Sequence, residues 1–340
     1  MEKHYRFGIV GSGMISNIHA IAIQSLPQGE LVGVADYNLE KAEAFAQKYG
    51  IRAYETTEQM LMDESLDIIC ICTPSGFHAE QTMAALKAGK HVVLEKPMAL
   101  TTESAGELVE ACEKYGRFLT VISQFRFTPA LQYTKQLLEE KAFGKVVMCS
   151  LYMKYWRDPA YYSASPWKGT KRFDGGGALM NQGIHGVDLM QYLMGDGKVL
   201  QGRAKTLVHD IEVEDTAAAI LEFENGALGV IEATTSAYPG FDRRLEIRGD
   251  RGYLTLQEDT ILELMINGER IELPKRETSV VSTAADPSKL DYRMHARQLQ
   301  NLVDAIEGRE ELLIDAREGY RAVRLVEDVY RSSERLDREQ

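Results

Sequence analysis

Several residue types and patterns are scarce in this chain. Four cysteines in 340 residues are too few and too scattered for a disulfide framework. Cys70 and Cys72 stand two apart in an apolar run, so in a strand they share a face. No Cys or His lies near them at metal-site spacing. They read as buried structural residues, which fits a reducing cytoplasm. Among the 7 histidines no two lie within four positions of each other, and the helical H-E-x-x-H pattern is absent, so no metal is expected. There is no G-x-S-x-G elbow, which disfavours a serine hydrolase of that type. No apolar run approaches the ~20 residues of a membrane span, and the N-terminus lacks the apolar core and cleavage site of a secretory signal. Basic residues are outnumbered, 39 against 51 acidic, for a net charge of −12. That balance argues against broad binding to nucleic acid or anionic lipid, though not against a small anion held at a helix N-terminus. The 9 prolines and 28 glycines form no low-complexity tract.

What remains is ordinary globular composition, 44% hydrophobic and 26% charged, in a length that suits about two domains. The first third alternates short, continuous apolar runs with amphipathic segments. The runs are Phe7–Val10, Leu31–Ala35, Ile68–Cys72, Val92–Leu94 and Phe118–Ile122; the segments include Leu39–Tyr49 and Glu103–Tyr115. Strands buried on both faces look like this, so the pattern predicts a parallel sheet with helical crossovers. After about residue 124 the strand-like runs lengthen and alternate: Val146–Trp156, Thr216–Phe223, Ala227–Thr235, Arg244–Arg248, Tyr253–Gln257, Thr260–Ile266 and Arg270–Leu273. Asn225-Gly226 and Asn267-Gly268 mark hairpins between them, and residues 249–252 mark a further turn. An antiparallel or mixed sheet with helices on one face follows. Two amphipathic helices, Asp291–Glu307 and Ala316–Arg335, close the chain, and Leu273–Leu290 reads as an exposed loop. The expected division is 1–123 and 124–340.

Three motifs carry chemistry. The first is a strand, a glycine turn and a helix start over residues 7–16. Gly11 permits the turn. Gly13 lets the backbone approach a pyrophosphate, whose charge meets free N–H groups of the helix. Ser16 stands where the third glycine of G-x-G-x-x-G falls. Asp36 lies 23 residues after Gly13 (36 − 13) at the end of the second strand, where a carboxylate accepts hydrogen bonds from ribose hydroxyls. That carboxylate repels a 2′-phosphate, and Tyr37-Asn38 brings no cation, so NAD is favoured over NADP.

The second motif is Glu95-Lys96-Pro97, directly after a strand. Ligands of open parallel sheets bind beyond the carboxyl ends of strands, which places Lys96 at the mouth of the cleft. An ammonium beside an oxidised nicotinamide feels a like charge, which eases loss of its proton and suits it to proton relay. Thr73-Pro74, ending the preceding strand, lines the same crevice. The third motif runs from Gly175 to Asp188. Its second half reads as a helix, with Asn181, His185 and Asp188 at i, i+4 and i+7 on one face. A histidine between an amide and a carboxylate suits proton transfer near neutral pH.

Together Gly11-Ser12-Gly13-Met14-Ile15, Thr73-Pro74, Glu95-Lys96-Pro97 and the Gly175–Asp188 stretch resemble the glucose–fructose oxidoreductase / inositol dehydrogenase (Gfo/Idh/MocA) family over essentially the whole chain. The resemblance implies an α/β protein, with an N-terminal Rossmann domain and a C-terminal α/β domain built on a large open, mostly antiparallel sheet. In the family that sheet commonly packs against another subunit, hence an expected homodimer or homotetramer. It implies hydride transfer between a nicotinamide and a hydroxyl-bearing carbon of a sugar, cyclitol or sugar derivative. The family's lysine corresponds to Lys96, its histidine to His185, and its helix carboxylate to Asn181. An amide cannot take up a proton as a carboxylate does, so the relay falls to His185 and Lys96.

The resemblance extends cofactor contacts to Met14, Ile15, Glu95, Pro97 and Gln124. It extends substrate contacts to Arg126, Tyr155, Arg157, Trp167, Lys168, Asn181 and Asp188. Aromatic faces suit a sugar ring, and Arg157 and Lys168 suit an anionic group; this segment faintly resembles members acting on nucleotide-linked amino-sugar uronates. The expected protein is a cytoplasmic NAD-dependent dehydrogenase whose substrate meets both the Rossmann cleft and the Asn181–Asp188 helix. The alternatives are an amino-sugar uronate dehydrogenase or redox-cycling enzyme with bound NAD, and a non-catalytic dinucleotide sensor.

Overall fold

The computed structural model describes residues 3–273 and 291–339. The loop expected over Leu273–Leu290 falls almost wholly outside them. Two compact units are present, the first comprising Met1–Gln124 and Leu290–Tyr320, the second Phe125–Lys289 and Arg321–Gln340.

In the first unit, strand β1 (Tyr5–Val10) leads through the glycine turn into helix α1 (Met14–Ser25). There follow β2 (Gly29–Ala35), α2 (Leu39–Tyr49), β3 (Arg52–Tyr54), α3 (Thr57–Leu61), β4 (Ile68–Ile71), α4 (His78–Lys87), β5 (His91–Leu94), α5 (Thr102–Tyr115) and β6 (Leu119–Val121). All neighbours pair in parallel, in the order β3-β2-β1-β4-β5-β6. Crossovers on both sides of β1 put a topological switch between β1 and β4, and every strand ends at the same sheet edge. Helix boundaries follow local chemistry. Asn38 accepts from the Lys41 N–H to start α2, Thr101 accepts from the Ser104 N–H to start α5, and Gly50 and Gly116 end those helices in the left-handed region.

The second unit begins with α6 (Pro129–Glu139), β7 (Val146–Lys154), α7 (Pro159–Ser163) and α8 (Ile184–Met194). It continues as β8 (Gly197–Lys205), β9 (Thr216–Phe223), β10 (Leu228–Thr234), β11 (Arg244–Gly249), β12 (Gly252–Gln257), β13 (Thr260–Ile266) and β14 (Glu269–Arg270). These eight strands form one sheet in the order β14-β13-β12-β11-β7-β10-β9-β8. Every pair is antiparallel except β7 with β10, so the sheet is mixed. The alternation of β9 separates its faces: Ala217, Ala219, Leu221 and Phe223 are buried, while Ile220 is 46% exposed. Leu228 pairs with Met148, and Val230 with both Ser150 and Ile220, so Met148, Ile220 and Leu228 share that open face.

Helices α9 (Tyr292–Ile306) and α10 (Ala316–Arg338) complete the chain. Leu299, Leu302 and Val303 of α9 join the core formed by Phe7, Ile9, Ile23 and Val34. This helix therefore belongs with the first unit, unlike the contiguous 124–340 division expected from sequence. Strands β3 and β8 are additional to those read from sequence, and the run expected at Arg270–Leu273 is the two-residue strand β14.

Candidate active site

The glycine turn has the shape a dinucleotide requires. Gly11 takes φ +96°, and a Cβ there would lie 2.8 Å from the Cys72 carbonyl oxygen, so no other residue fits without strain. Gly13 opens on empty space and caps α1 with no side-chain hydrogen bond, leaving its first-turn N–H groups available to an anion. Ser16, in place of the third glycine, is buried and donates to the Gly11 carbonyl at 2.9 Å, which ties helix to turn. Asp36 accepts from the Ser12 N–H and hydroxyl at 2.8 Å each, and from the Asn38 N–H at 3.0 Å. The carboxylate thus holds the turn from the end of β2.

The other expected cofactor residues lie in the same unit. Met14 is 56% exposed at the start of α1, and Ile15 packs against the core. Thr73 donates to Gln81 at 2.6 Å, and Pro74 opens a short 3-10 turn. Gln124 is buried, with its Oε1 lacking a hydrogen-bond partner. Free helix N–H groups, an unpartnered buried amide oxygen and a carboxylate at the end of β2 suit a bound dinucleotide.

Lys96 is half-buried just beyond β5, at the sheet edge where β1 enters the glycine turn. Its neighbour Glu95 is buried, and its Oε1 lies 2.9 Å from His19 Nε2 and 3.9 Å from His295 Nε2. Burial alone would raise the Glu95 pKa, but the His19 hydrogen bond and the charges of the histidines and Lys96 bring it down to about 2. Burial lowers His295 to about 4. The ligand atoms of His19, Glu95 and His295 lie within 4.8 Å of one another, which makes them, among the described residues, a group that could hold a metal ion. Sequence spacing carried no sign of this group, because its members come from α1, the end of β5 and α9. Pro97 presents its carbonyl to His78 Nδ1 at 2.7 Å, and His78 Nε2 lies 2.9 Å from the Thr73 carbonyl.

In the second unit the regular helix expected through Asn181 starts later. Residues Ala178–Gly183 form a π-helical turn, and α8 begins at Ile184. The turn closes on the Gly177 carbonyl, which accepts from both the Asn181 and Gln182 N–H groups, at 3.2 and 3.1 Å. Glu214 fixes the start by accepting from the Gly177 and Leu179 N–H groups at 2.9 and 2.8 Å and from the Tyr330 hydroxyl at 2.7 Å. A Cβ on Gly177 would come within 2.0 Å of the Glu214 carbonyl oxygen, so this packing needs glycine. Asn181 therefore does not continue the α-helical face of His185 and Asp188.

Asn181 donates to buried Asp174, a carboxylate that sequence reading had not singled out, and Asp174 also accepts from the Gly169 N–H at 2.8 Å. The Gln182 amide nitrogen donates to Asn181 Oδ1 at 3.0 Å and to the Tyr161 hydroxyl at 2.9 Å. Arg157 donates to Gln182 Oε1 through Nε and Nη2 at 3.0 and 2.7 Å, and its guanidinium lies 5.6 Å from the Tyr155 ring centre. Lys168 Nζ stands 3.7 Å over the Tyr161 ring, with its pKa lowered by burial. Trp167 is half-buried one residue earlier. Arg157 and Lys168, the expected anion-binding pair, thus meet at the Tyr161 ring, and Arg157 also faces Tyr155.

His185 is half-buried and meets Phe125 edge-on at 5.4 Å. Arg126 and Asp188, both expected to contact substrate, are 2% and 4% exposed and pair with each other, Arg126 Nε donating to Asp188 Oδ2 at 2.9 Å. Their arrangement anchors α8. A cavity of about 720 Å³ over β8–β10 is lined by Lys154, Gln201, Arg203, Thr216 and Glu232 and contains none of these residues.

A nucleotide-binding parallel sheet followed by a large mixed sheet, with a lysine at the first sheet's carboxyl edge, defines a dinucleotide-dependent oxidoreductase. The chain belongs to the Gfo/Idh/MocA family: residues 5–123 match its NAD-binding Rossmann fold and residues 135–336 its C-terminal alpha/beta domain. The D-glucoside 3-dehydrogenase of Escherichia coli K12 is 29% identical over 97% of this chain and 95% of its own length. The myo-inositol 2-dehydrogenase of Thermotoga maritima is 28% identical over 78% of this chain and 80% of its own. The WlbA dehydrogenase of Bordetella pertussis, solved with NADH and UDP-GlcNAcA, is 33% identical, covers 98% of this chain and 96% of that one, and superposes with a TM-score of 0.87.

Proposed function

We propose that the protein oxidises a hydroxyl-bearing carbon of a nucleotide-linked amino-sugar uronate, with NAD as the hydride acceptor. The observation that carries the oxidoreductase reading is the shared sheet edge: the glycine turn after β1 and Lys96 after β5 emerge from the same end of one parallel sheet. Bound NAD supplies the acceptor for the hydride leaving carbon. The glycine turn and the N-terminus of α1 hold its pyrophosphate, and Asp36 accepts from its ribose. Lys96 takes the hydroxyl proton as the carbonyl forms. Asn181 and Asp174 contribute hydrogen-bonding groups to orient the sugar, and Arg126 with Asp188 keeps α8 in place.

The uronate reading rests on the Arg157–Gln182–Tyr161–Lys168 network, which sets two cations beside aromatic rings. It draws support from the Bordetella pertussis dehydrogenase and from a 31%-identical dehydrogenase of Chromobacterium violaceum, TM-score 0.86, also solved with NADH and UDP-GlcNAcA. Lys168→Met keeps the aliphatic stem and removes the charge. It is expected to raise KM for UDP-GlcNAcA about tenfold or more, a charge-assisted contact being worth roughly 1.5–3 kcal/mol. KM for UDP-GlcNAc, which lacks the carboxylate, is expected to stay within about twofold on the same scale. Equal KM values for the acid in wild type and variant contradict the uronate reading.

A further inference from the structure

Lys96 sits between two residues that are each tied to a buried imidazole. On one side, Glu95 Oε1 meets His19 Nε2 at 2.9 Å, while Glu95 Oε2 accepts from the Lys96 N–H at 3.2 Å. The same carboxylate therefore links the ring of His19 to the main chain of Lys96. His295 backs this contact, its ring edge-on to His19 at 5.5 Å. On the other side, the Pro97 carbonyl meets His78 Nδ1 at 2.7 Å, and the opposite nitrogen of that ring meets the Thr73 carbonyl at 2.9 Å. His19, His78 and His295 are 0%, 1% and 1% exposed, so none of them competes with water for these partners. The three rings come from α1, α4 and α9, the helices that flank the sheet.

We propose that His19 and His78 are positioning residues for Lys96, anchoring the residue on either side of it so that its ammonium keeps one place at the sheet edge. His78 does a second thing: by bridging Pro97 and Thr73 it couples the Lys96 turn to the Thr73-Pro74 turn of the neighbouring strand. A neutral imidazole carries a single N–H and can donate to only one of those two carbonyls, so the tautomer of His78 decides which turn is held more firmly. The His19–Glu95–His295 group reads as an anchor rather than a metal site because both carboxylate oxygens already face partners, one the His19 ring and the other the Lys96 N–H. An ion would have to displace the shorter contact. The inference rests on the assignment of Lys96 to proton transfer.

The test is steady-state turnover with UDP-GlcNAcA and with myo-inositol, using whichever the wild type oxidises faster, alongside NAD affinity by fluorescence titration. His19→Leu and His78→Leu are expected to lower kcat about 10- to 100-fold, the range for misplacing a reacting group by about an ångström, with NAD affinity within about threefold, less than a lost hydrogen bond to cofactor would cost. His19→Gln and His78→Asn, which restore an amide donor to Glu95 and to Pro97, are expected to recover most of that loss. If a leucine variant does not fold, Glu95→Gln probes the first anchor at constant volume and should lower kcat alike. Unchanged kcat in the leucine variants overturns the proposal, as does a loss confined to NAD affinity or one that the amide variants leave unrecovered. So does one equivalent of zinc that survives gel filtration and is lost in His295→Leu. Lys96→Met in the same series separates the two claims. Wild-type turnover there contradicts the role of Lys96 itself, whereas a dead Lys96→Met enzyme beside fully active histidine variants contradicts the anchoring alone.

Discussion

Asp36 has two tasks, and they pull on the same carboxylate. It accepts from the Ser12 N–H and hydroxyl and from the Asn38 N–H, which holds the glycine turn. Under the proposed function the same carboxylate would also meet the adenosine ribose of NAD, beyond the end of β2. Asp36→Ala is therefore expected to weaken NAD binding by about tenfold or more, since charge-assisted hydrogen bonds contribute roughly 1.5–3 kcal/mol. NADP binding should fall less, because its 2′-phosphate no longer faces a carboxylate. Titration calorimetry with both cofactors checks this, and unchanged affinities for the two would contradict the ribose assignment. Gly11, Gly13, Asp36 and Lys96 stood out in the sequence as candidates because each follows a short apolar strand, and His185 because it falls on a polar helix stripe within the resembling stretch. His19, His78, His295 and Asp174 did not. His19 lies 76 residues from Glu95, and nothing in either local sequence points to the other. The packing of α1 against α9 brings His19 and His295 to Glu95, and α4 brings His78 to the Pro97 carbonyl.

At the scale of the element, β5 carries a pH-sensitive contact away from the site. The His91 ring stacks on Phe118 at 5.6 Å, and its Nδ1 accepts from the Phe118 N–H at 3.0 Å. Burial, with help from the Arg117 charge, lowers its pKa to about 4. The unfolded chain therefore binds a proton below pH ~6.5 that the folded chain refuses until about pH 4. The sign is fixed: stability from this group is full above pH ~6.5 and is lost as pH falls toward 4. His91→Asn keeps an acceptor oxygen and removes the titration, so urea unfolding at pH 4.5 and 7.5 should show a difference smaller by roughly 1–2 kcal/mol in the variant. The same pH difference in variant and wild type would contradict the account.

Most elements of the first sheet could be read from sequence because strands buried on both faces show as continuous apolar runs. β8 could not, since Gly197–Lys205 is half polar and holds two glycines, and its pairing with β9 supplies what its composition lacks. The π turn at 178–183 was hidden for another reason: it depends on Glu214 and Tyr330, which are distant in sequence.

For the whole molecule, the order of the two sheets was readable and the division of the chain was only partly so. The change from continuous to alternating apolar runs near residue 124 reflects a real change, from a parallel sheet covered on both faces to a mixed sheet with Ile220 and Leu228 on an open face. The amphipathic period of α9 announced a helix, but not that Leu299 and Leu302 would pack in the first unit's core. An apolar stripe states that a face will be buried without stating by what. No helix among the described residues is long and apolar enough to cross a membrane.

The central claim is that this chain moves hydride from a sugar carbon to NAD with Lys96 serving the proton. It is tested most directly by absorbance at 340 nm as UDP-GlcNAcA, aldoses and inositols are added with NAD or NADP, each repeated with Lys96→Met. The account predicts a rise with UDP-GlcNAcA and NAD, a weaker one with NADP, and a fall of at least about 100-fold in Lys96→Met, the scale of a lost general acid–base group. A Lys96→Met enzyme that produces NADH at the wild-type rate, or a wild type that produces none from any of these sugars, would contradict it.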